Sequence, residues 1–384
     1  MYALLFRDSG LSVGQVSTLF LVWSVTGFVL EVPSGAWADT VDRRRLLVLS
    51  ALVNAAGFAS WMVWPTYAGF ALGFVLWGVS GALMSGTFES LLYDGLAAHG
   101  QTSRYAGLMG WADSAAMSAN LVASVAAAPL MAWGGYGLVG WTSVALAGGQ
   151  ALLAATLPVS THHPVHLREV AAATERVTVR YVAMLRTGIR EASHTVDVRR
   201  AVLLSAAVVG ASAYDEYFPL VARDHGVATS VVPWLIGLVV LGQVVGTALA
   251  GRTARMTGRA LGWVLLAAAV LISGGALVSP WAGFAAIAVG YGLLNNAMVV
   301  SEARLQDVIG GPARATVTSV AGLATEVVAL VVYAGFAATS GVLSVPVQVA
   351  ALGVPLAVVA LLAWRRLPPP QHPRMPPPAP GTAP

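Results

Sequence analysis

Residues 31–45 read EVPSGAWADTVDRRR and stand between two long apolar stretches of the chain. They bring a glycine, Gly35, a carboxylate, Asp39, and three consecutive arginines into one short turn. Two hydrophobic helices joined by so short a loop must turn at a membrane face, where only a small residue lets their backbones approach closely. Asp39 can then meet an arginine or the N-terminus of a neighbouring helix. The alternative is an arginine cluster that sets the membrane topology and stands beside an unrelated aspartate.

The overall composition indicates a membrane protein. Of the 384 residues, 57% are hydrophobic and only 10% are charged, and the mean hydropathy is +0.74. Apolar stretches of about 20 residues can cross a bilayer core of ~30 Å as helices, because lipid leaves unpaired backbone groups without partners. Eleven full stretches lie near residues 14–37, 46–64, 68–92, 106–133, 136–158, 201–222, 231–251, 260–278, 281–301, 315–340 and 342–364. They predict an all-α integral membrane protein.

The basic residues predict the orientation of the chain. All 21 are arginines, and all but Arg7 and Arg223 fall in alternate loops or in the C-terminal tail. The positive-inside rule therefore predicts that the loop at 41–45, the long central loop and the C-terminus are cytoplasmic. The preference for arginine over lysine, with abundant Ala, Gly and Val, is typical of a G+C-rich bacterial genome. We expect a multi-pass protein of the bacterial plasma membrane.

Several classes of protein are excluded by the sequence. With no cysteine there are neither disulfides nor thiolate metal sites. With no lysine there is no nucleotide-binding loop of the Gly-x-x-x-x-Gly-Lys type, so ATP cannot drive this chain directly. His162, His163 and His166 fit a flexible loop better than a metal site. No nucleophile and base stand together, and no aromatic and basic patch is interleaved, so we expect neither an enzyme, nor a cofactor, nor a nucleic-acid partner.

The two halves of the chain repeat one another. Motifs and acidic positions recur after 213 to 216 residues, which is unexpected by chance in a chain so poor in acidic residues. The repeated positions are Arg7–Gly10 with Arg223–Gly226, Glu89 with Glu302, Asp94 with Asp307, and Asp113 with Glu326. This duplication predicts two parallel six-helix halves.

The duplication also predicts the domain boundaries and an incomplete first helix. We expect an N-terminal bundle at 1–158, a cytoplasmic central loop at 159–200, a C-terminal bundle at 201–364 and a proline-rich disordered tail at 365–384. Only six residues precede Arg7, against a full apolar span before Arg223. We expect the true start of the chain to lie upstream; the alternative is a chain that lacks half of a cavity-lining helix.

The turn at 31–45 resembles motif A of the major facilitator superfamily, whose pattern is Gly-x-x-x-Asp-Arg/Lys-x-Gly-Arg-Arg/Lys. Two positions, Thr40 and Asp42, depart from the pattern. The matching residues are Gly35, Asp39, Arg43 and Arg44. The resemblance implies two pseudo-symmetric bundles that rock about a midplane site. It also implies a gate at the arginine-rich face that consists of Gly35, Asp39, Arg43, Arg44 and Asp94.

Within the superfamily the chain resembles the bacterial drug/proton antiporters, with two departures. The pattern Arg-x-x-Gln-Gly of those exporters finds Trp77 and Ser80 before Gly81, so the basic residue associated with proton exchange is absent. The signature Gly-Pro-x-x-Gly-Gly survives only in part, at 128–135. The duplication and the number of spans extend the resemblance over nearly the whole chain.

Carboxylates inside membrane spans are costly unless they are paired or hydrated, so each is a candidate for function. For Glu31, Asp113 and Glu326 two interpretations stay open, proton carriage and pairing between the halves. The full set of proton-coupling candidates is Glu31, Glu89, Asp113, Glu302 and Glu326.

The span at 201–222 combines two carboxylates with aromatic rings. By resemblance to the superfamily this is a cavity-lining position, and aromatic faces beside carboxylates favour organic cations. The alternative is a polar cluster at the outer rim, because Arg223 follows closely. The substrate-binding candidates are Trp77, Tyr214, Asp215, Glu216, Tyr217, Asn295 and Asn296.

Together these features predict a monomeric secondary active transporter of small organic molecules that exports its substrate in exchange for protons by alternating access. The expected partners are the substrate, protons and the lipid bilayer. One alternative is a nutrient uptake porter. The other is a non-transporting or truncated membrane protein of the same fold.

Overall fold

The computed structural model describes residues 1–157, 183, 186, 189, 190, 195–309 and 314–366, with the side chains at 31–33, 35, 36, 38–40, 314, 315 and 366 left out. All regular elements in these ranges are helices. The first half contains α1 (Tyr2–Asp8), α2 (Val13–Thr40), α3 (Arg43–Val63), α4 (Tyr67–Met84), α5 (Thr87–Ala98) and α6 (Tyr105–Ala155). The second half contains α7 (Val196–Ala211), α8 (Phe218–Asp224), α9 (Val232–Thr253), α10 (Gly258–Leu277), α11 (Pro280–Val308), α12 (Arg314–Thr339), α13 (Val345–Ala351) and α14 (Gly353–Arg366).

The helices account for the eleven predicted spans. Nine helices of the described chain are long and apolar enough to cross a membrane. One of them holds two spans, because Gly134 (φ −145°) and Gly135 (φ +57°) leave helical geometry and reverse the chain within α6. A further crossing runs from α7 through a 3₁₀ segment at Ser212–Tyr217 to α8. The predicted all-α membrane fold is confirmed.

Four helices begin where a polar side chain caps their N-terminus. The side chains of Ser12, Asp42, Thr66 and Thr257 each accept a hydrogen bond from the backbone N–H three residues later. Such caps satisfy donors that the first helical turn leaves free. They fix where α2, α3, α4 and α10 start.

The duplicated motif adopts one conformation in both halves. Gly10 and Gly226 have left-handed backbones, with φ of +93° and +77°. In each copy the next residue closes the helix end, since the Leu11 N–H donates to the Phe6 carbonyl and the Val227 N–H to the Ala222 carbonyl, both at 3.1 Å. A left-handed residue after a helix favours glycine, which explains why the glycine recurs in the sequence.

In the described part of the chain, the most extensive contacts between the helices of the two bundles are as follows. α2 packs on α12, α6 on α9, and α1 on α8. The arginine-rich turns at 41–45, 99–104 and 252–259 lie at alternate helix ends, which we call the basic face. The turns at 9–12, 64–66 and 225–231 lie at the other ends, which we call the opposite face.

Within the second bundle, glycines let helix backbones touch. A Cβ built on Gly246 of α9 would overlap the carbonyl oxygen of Gly292 on α11. Gly242 faces the Ala288 carbonyl in the same way, one turn along. Close backbone approach is how membrane helices gain packing energy where lipid supplies no hydrophobic drive.

Gly246→Ala should therefore destabilise the protein, because the added methyl group forces α9 away from α11 at a cost of ~1–3 kcal/mol. The measurement is the thermal unfolding midpoint of the detergent-purified protein. Gly251→Ala is the matched control, since a Cβ at this exposed position of the same helix meets nothing within 4 Å. Equal unfolding midpoints for the two variants would show that the backbones of α9 and α11 are not in close contact at Gly246.

Candidate functional site

A cavity of about 500 Å³ lies between the two bundles. It is bounded by α2 and α4 from the first bundle, and by α7, the 3₁₀ segment and α12 from the second. Gly27 and Gly81 lie in its lining, and a Cβ built on either would meet nothing within 4 Å. Its aromatic and polar lining consists of Trp23, Ser24, Phe28, Trp77, Ser85, Ser212, Asp215, Glu216, Thr325, Glu326 and Tyr333.

An aromatic cluster closes the cavity on the side of the opposite face. We call Phe20, Tyr217, Tyr333 and Phe336 the aromatic plug. The rings of Tyr217 and Phe336 stack at a centroid distance of 3.6 Å, and the ring of Phe20 lies 5.5 Å from Tyr217 and 5.4 Å from Tyr333. Phe20 comes from the first bundle and the other three rings come from the second. The plug therefore joins the halves on the opposite-face side of the cavity. The Tyr217 hydroxyl adds a hydrogen bond of 2.8 Å to the Ser17 Oγ across the same interface.

The two neighbouring carboxylates of the cavity sit where the helix is wound more tightly. Asp215 and Glu216 belong to the 3₁₀ segment Ser212–Tyr217, which ends where α8 begins with Pro219 at its second position. A proline has no N–H and its ring collides with the carbonyl four residues earlier, which here is that of Asp215. The helix cannot run through this point in α geometry, and a 3₁₀ stretch within a helix often marks a functional hinge.

Each of the three cavity carboxylates accepts a hydrogen bond from a hydroxyl. The Tyr291 hydroxyl donates to the Asp215 Oδ2 at 2.6 Å within the second bundle. The other two bonds cross between the bundles. The Tyr2 hydroxyl of α1 donates to the Glu216 Oε2, and the Ser24 Oγ of α2 donates to the Glu326 Oε2 at 2.9 Å.

The first bundle supplies an aromatic wall opposite these carboxylates. Trp23 and Trp77 stack with ring centroids 5.2 Å apart and planes inclined by 29°. Phe74 lies parallel to Trp77 on the side of the opposite face, with centroids 5.9 Å apart and planes inclined by 2°. The wall therefore continues from the cavity into the buried aromatic core of the first bundle.

An ion pair joins the halves at the opposite face. The guanidinium of Arg223, at the end of α8, contacts both carboxylate oxygens of Asp8 at the end of α1, at 2.7 Å and 3.2 Å. The Tyr136 hydroxyl donates to the same carboxylate at 2.6 Å. We call this set the outer clasp. Two parallel charge-assisted bonds hold both position and orientation.

At the basic face, the predicted gate residues are described only in part. Arg43 is 8% exposed, pairs with Asp94 and donates to the Ser90 carbonyl at 3.2 Å. This pair lies within the first bundle and ties α3 to α5. Arg44 is half-buried beside it. The backbones of Gly35 and Asp39 lie in α2, and their side chains are outside the described set.

The predicted proton-coupling residues occupy different environments. Glu326 lines the cavity. Glu89 is half-buried, and its Oε2 has no hydrogen-bond partner among the described atoms. Asp113 and Glu302 are exposed on α6 and α11. Glu31 lies in α2, with its side chain outside the described set.

Among the predicted substrate residues, Trp77, Asp215 and Glu216 line the cavity, whereas the asparagines do not belong to its described lining. The Asn295 Nδ2 donates to the Tyr291 carbonyl at 2.9 Å within its own helix. The Asn296 Nδ2 donates to the Gly246 carbonyl at 3.0 Å and so joins α11 to α9. The Asn296 amide therefore stabilises helix packing, and the Asn295 amide is satisfied by its own backbone.

The two tyrosines of the predicted substrate set lie beside the cavity in the packed interior. Tyr214 is 2% exposed and packs edge-on against Phe218, with ring centroids 5.6 Å apart. Tyr217 is fully buried in the aromatic plug. The two tyrosines flank Asp215 and Glu216 in the sequence and pack behind these carboxylates in the protein interior.

On the first-bundle side of the candidate site, sequence reasoning identified Trp77 alone. Trp23 and Ser24 stand in an apolar span and carry no distinguishing pattern. Tyr2 was overlooked in the same way. The outer clasp could have been predicted, because the repeated Arg-Asp dipeptides place opposite charges at equivalent helix ends of the two halves.

The chain matches one protein family by sequence and several solved transporter structures by fold. The family model described as Major Facilitator Superfamily matches residues 1–332. Among solved structures, a D-xylose-proton symporter is 17% identical with a TM-score of 0.64, over 95% of this chain and 91% of that chain. A bacterial homologue of the iron transporter ferroportin, in an inward-facing state, is 13% identical with a TM-score of 0.64, over 95% and 93%. The peptide transporter POT is 17% identical with a TM-score of 0.60, over 92% and 84%.

At these identities the structural likeness shows the fold alone, and no curated protein sequence matches the chain.

Loss of the outer clasp should open the opposite face. The chain has no cysteine, so Ser17→Cys places a single thiol beneath the clasp at a fully buried position. Asp8→Asn should raise the rate at which a membrane-impermeant maleimide labels this thiol by about fivefold, because an ion pair of this kind contributes ~1 kcal/mol.

Asp224→Asn is the matched control for this labelling experiment. Asp224 is the repeat counterpart of Asp8, but its carboxylate accepts from the backbone N–H of Val345 in its own bundle, at 3.3 Å. The charge-swapped pair Asp8→Arg with Arg223→Asp should restore slow labelling. Equal labelling in Asp8→Asn and native protein would show that the aromatic plug alone closes this face.

Proposed function

This chain belongs to the major facilitator superfamily, and on that basis we propose that it is a secondary active transporter that exports small organic molecules in exchange for protons. It is a multi-pass membrane protein with helices that can span the bilayer. The cavity between the bundles is the proposed substrate site, and the two halves rock about it in alternating access. The single observation that carries the proposal is that two cavity carboxylates, Glu216 and Glu326, accept hydrogen bonds from the other half.

These two bonds connect the chemistry of the cavity to the conformation of the molecule. A hydrogen bond to an ionised carboxylate is roughly twice as strong as one between neutral groups. A proton or a substrate that neutralises Glu216 or Glu326 therefore weakens the contact with Tyr2 or Ser24. The contact on the opposite-face side of the cavity loosens, and the equilibrium moves toward opening there.

The same arrangement supports exchange. In the empty carrier both bridges hold the halves together. Either ligand releases the bridges, so the carrier reorients when it holds a proton or a substrate and resists reorientation when empty. A shared site of this kind couples the outward movement of one ligand to the inward movement of the other.

We propose that the basic face is cytoplasmic and that the protein lies in a bacterial plasma membrane. The basic face carries most of the arginines, so the positive-inside rule supports a cytoplasmic basic face and C-terminus in a bacterial plasma membrane. The cavity, which lies on the basic-face side of the aromatic plug, is then in its inward-facing arrangement. We place the working unit at one chain, because both halves of the cavity come from the same polypeptide.

Coupling is tested by proton flux in proteoliposomes under an imposed pH gradient, with a panel of small organic cations, anions and neutral compounds as substrates. The native protein should show substrate-dependent proton flux. Glu216→Gln and Glu326→Gln should reduce gradient-driven transport at least tenfold, because an amide keeps the shape of the carboxyl group and cannot carry the proton. Both variants should still exchange labelled for unlabelled substrate.

Asp197→Asn provides the control for a lost carboxylate, since Asp197 lies at the start of α7 and pairs with Arg200 at 3.8 Å. It should transport like the native protein. Unchanged gradient-driven transport in both glutamine variants would contradict the coupling role of the bridging carboxylates. Substrate and protons that move in the same direction would identify an uptake porter.

A further inference from the structure

We propose that the cavity between the bundles binds an organic monocation, with its charge among Glu216, Glu326 and Asp215 and its apolar body against Trp23 and Trp77. The inference rests on the proposed function, which it deepens by naming the substrate class. It follows from four properties of the cavity: charge, aromatic wall, uncharged polar groups and size.

The charge of the cavity is negative. Three carboxylates contribute to the lining, and its described residues include no arginine or histidine. The guanidinium groups of Arg223 and Arg43 lie outside this lining and pair with Asp8 and Asp94. An anionic substrate would meet uncompensated like charge in a site of low dielectric, which costs several kcal/mol. A cation is attracted by the three carboxylates of the lining.

The aromatic wall presents the ring type best suited to a cation. Trp23 and Trp77 both line the cavity and stack on one another. The indole face carries negative electrostatic potential, and attraction to an organic cation strengthens when the site is desolvated. Stacking fixes the two rings, so little conformational freedom is lost when a flat or branched apolar group packs against them.

The remaining polar groups argue against a sugar or another neutral polyol. The uncharged polar side chains in the described lining are hydroxyls, such as Ser85, Ser212 and Thr325, and no amide is among them. The nearby amides of Asn295 and Asn296 are held in helix contacts. A polyol needs many convergent donors and acceptors, because each of its buried hydroxyls must be paired.

A metal ion is disfavoured by the same geometry. Among the described residues, no group of three His, Asp or Glu side chains converges closely enough to hold a metal. Each cavity carboxylate faces a different hydroxyl donor, namely Tyr291, Tyr2 or Ser24.

The size of the cavity, about 500 Å³, suits a molecule of drug size. An organic cation of this size can contact both the separated carboxylates and the aromatic wall.

The test uses two probes of nearly equal size and shape and opposite charge, tetraphenylphosphonium and tetraphenylborate, with neutral triphenylphosphine oxide as a third. Saturable binding to the purified full chain in detergent is measured by equilibrium dialysis with labelled probe. The phosphonium should bind saturably, and the borate and the oxide should bind at least tenfold more weakly. Glu216→Gln and Glu326→Gln should each weaken phosphonium binding at least tenfold.

The aromatic wall is tested with a graded pair. Trp77→Ala should weaken phosphonium binding about tenfold, and Trp77→Phe should recover part of that loss, because phenyl retains an apolar face with a weaker potential. Trp263→Phe is the matched control, because Trp263 packs against Trp364 away from the cavity, with centroids 5.1 Å apart. Every variant is first checked for monodisperse elution, so that loss of binding is separated from loss of fold.

The outcomes separate this inference from the proposed function. No saturable phosphonium binding by the native chain, equal binding of the three probes, or binding unaffected by both glutamine variants would each overturn the cation site. Transport of a neutral compound coupled to protons would then leave the proposed function standing. Carboxylate-dependent phosphonium binding without proton-coupled transport of any compound in the panel would support the cation site and remove the proposed function.

Discussion

The structure depends on the requirement that a polar group inside a membrane protein must find a partner. Lipid offers none, and a carboxylate placed among apolar helices needs a donor within reach. In this chain Glu216 and Glu326 obtain their donors from the other half, from Tyr2 and Ser24. The same contacts that make the carboxylates tolerable therefore hold the bundles in one relative position. On the proposed function, a change of charge in the cavity alters this contact between the halves.

Much of the fold follows from the sequence, because hydrophobic length and the spacing of glycines and charges are local signals. The spans, the reversal in α6 and the repeated helix end at Gly10 and Gly226 all reflect residues that act on their immediate neighbours. The partners of the buried polar groups could not be predicted in this way. Asn295 and Asn296 resemble cavity residues in sequence, yet the Asn296 amide contacts α9 and the Asn295 amide bonds to a carbonyl of its own helix.

Some of the residues that line the candidate site are among those singled out in the sequence. The pairing of carboxylates with aromatic residues pointed to the second-half wall, and the structure brings Trp77, Asp215 and Glu216 to one cavity. Of the first-half wall only Trp77 was predicted, because Trp23 stands within an apolar span and carries no distinguishing pattern. Equivalent positions in the two halves of the chain can also lie in different environments. Glu326 lines the cavity, whereas its repeat counterpart Asp113 is exposed on α6.

The outer clasp has a further consequence for the environment in which the protein works. Its two side chains retain 42% and 27% exposure, for Arg223 and Asp8, so dissolved ions reach the pair. The Debye length is about 8 Å at physiological ionic strength and about 3 Å at 1 M, and exposed ion pairs weaken accordingly. The aromatic plug beneath the clasp is apolar and is indifferent to such screening. The balance between the two closures therefore varies with the salinity of the medium on that side of the membrane.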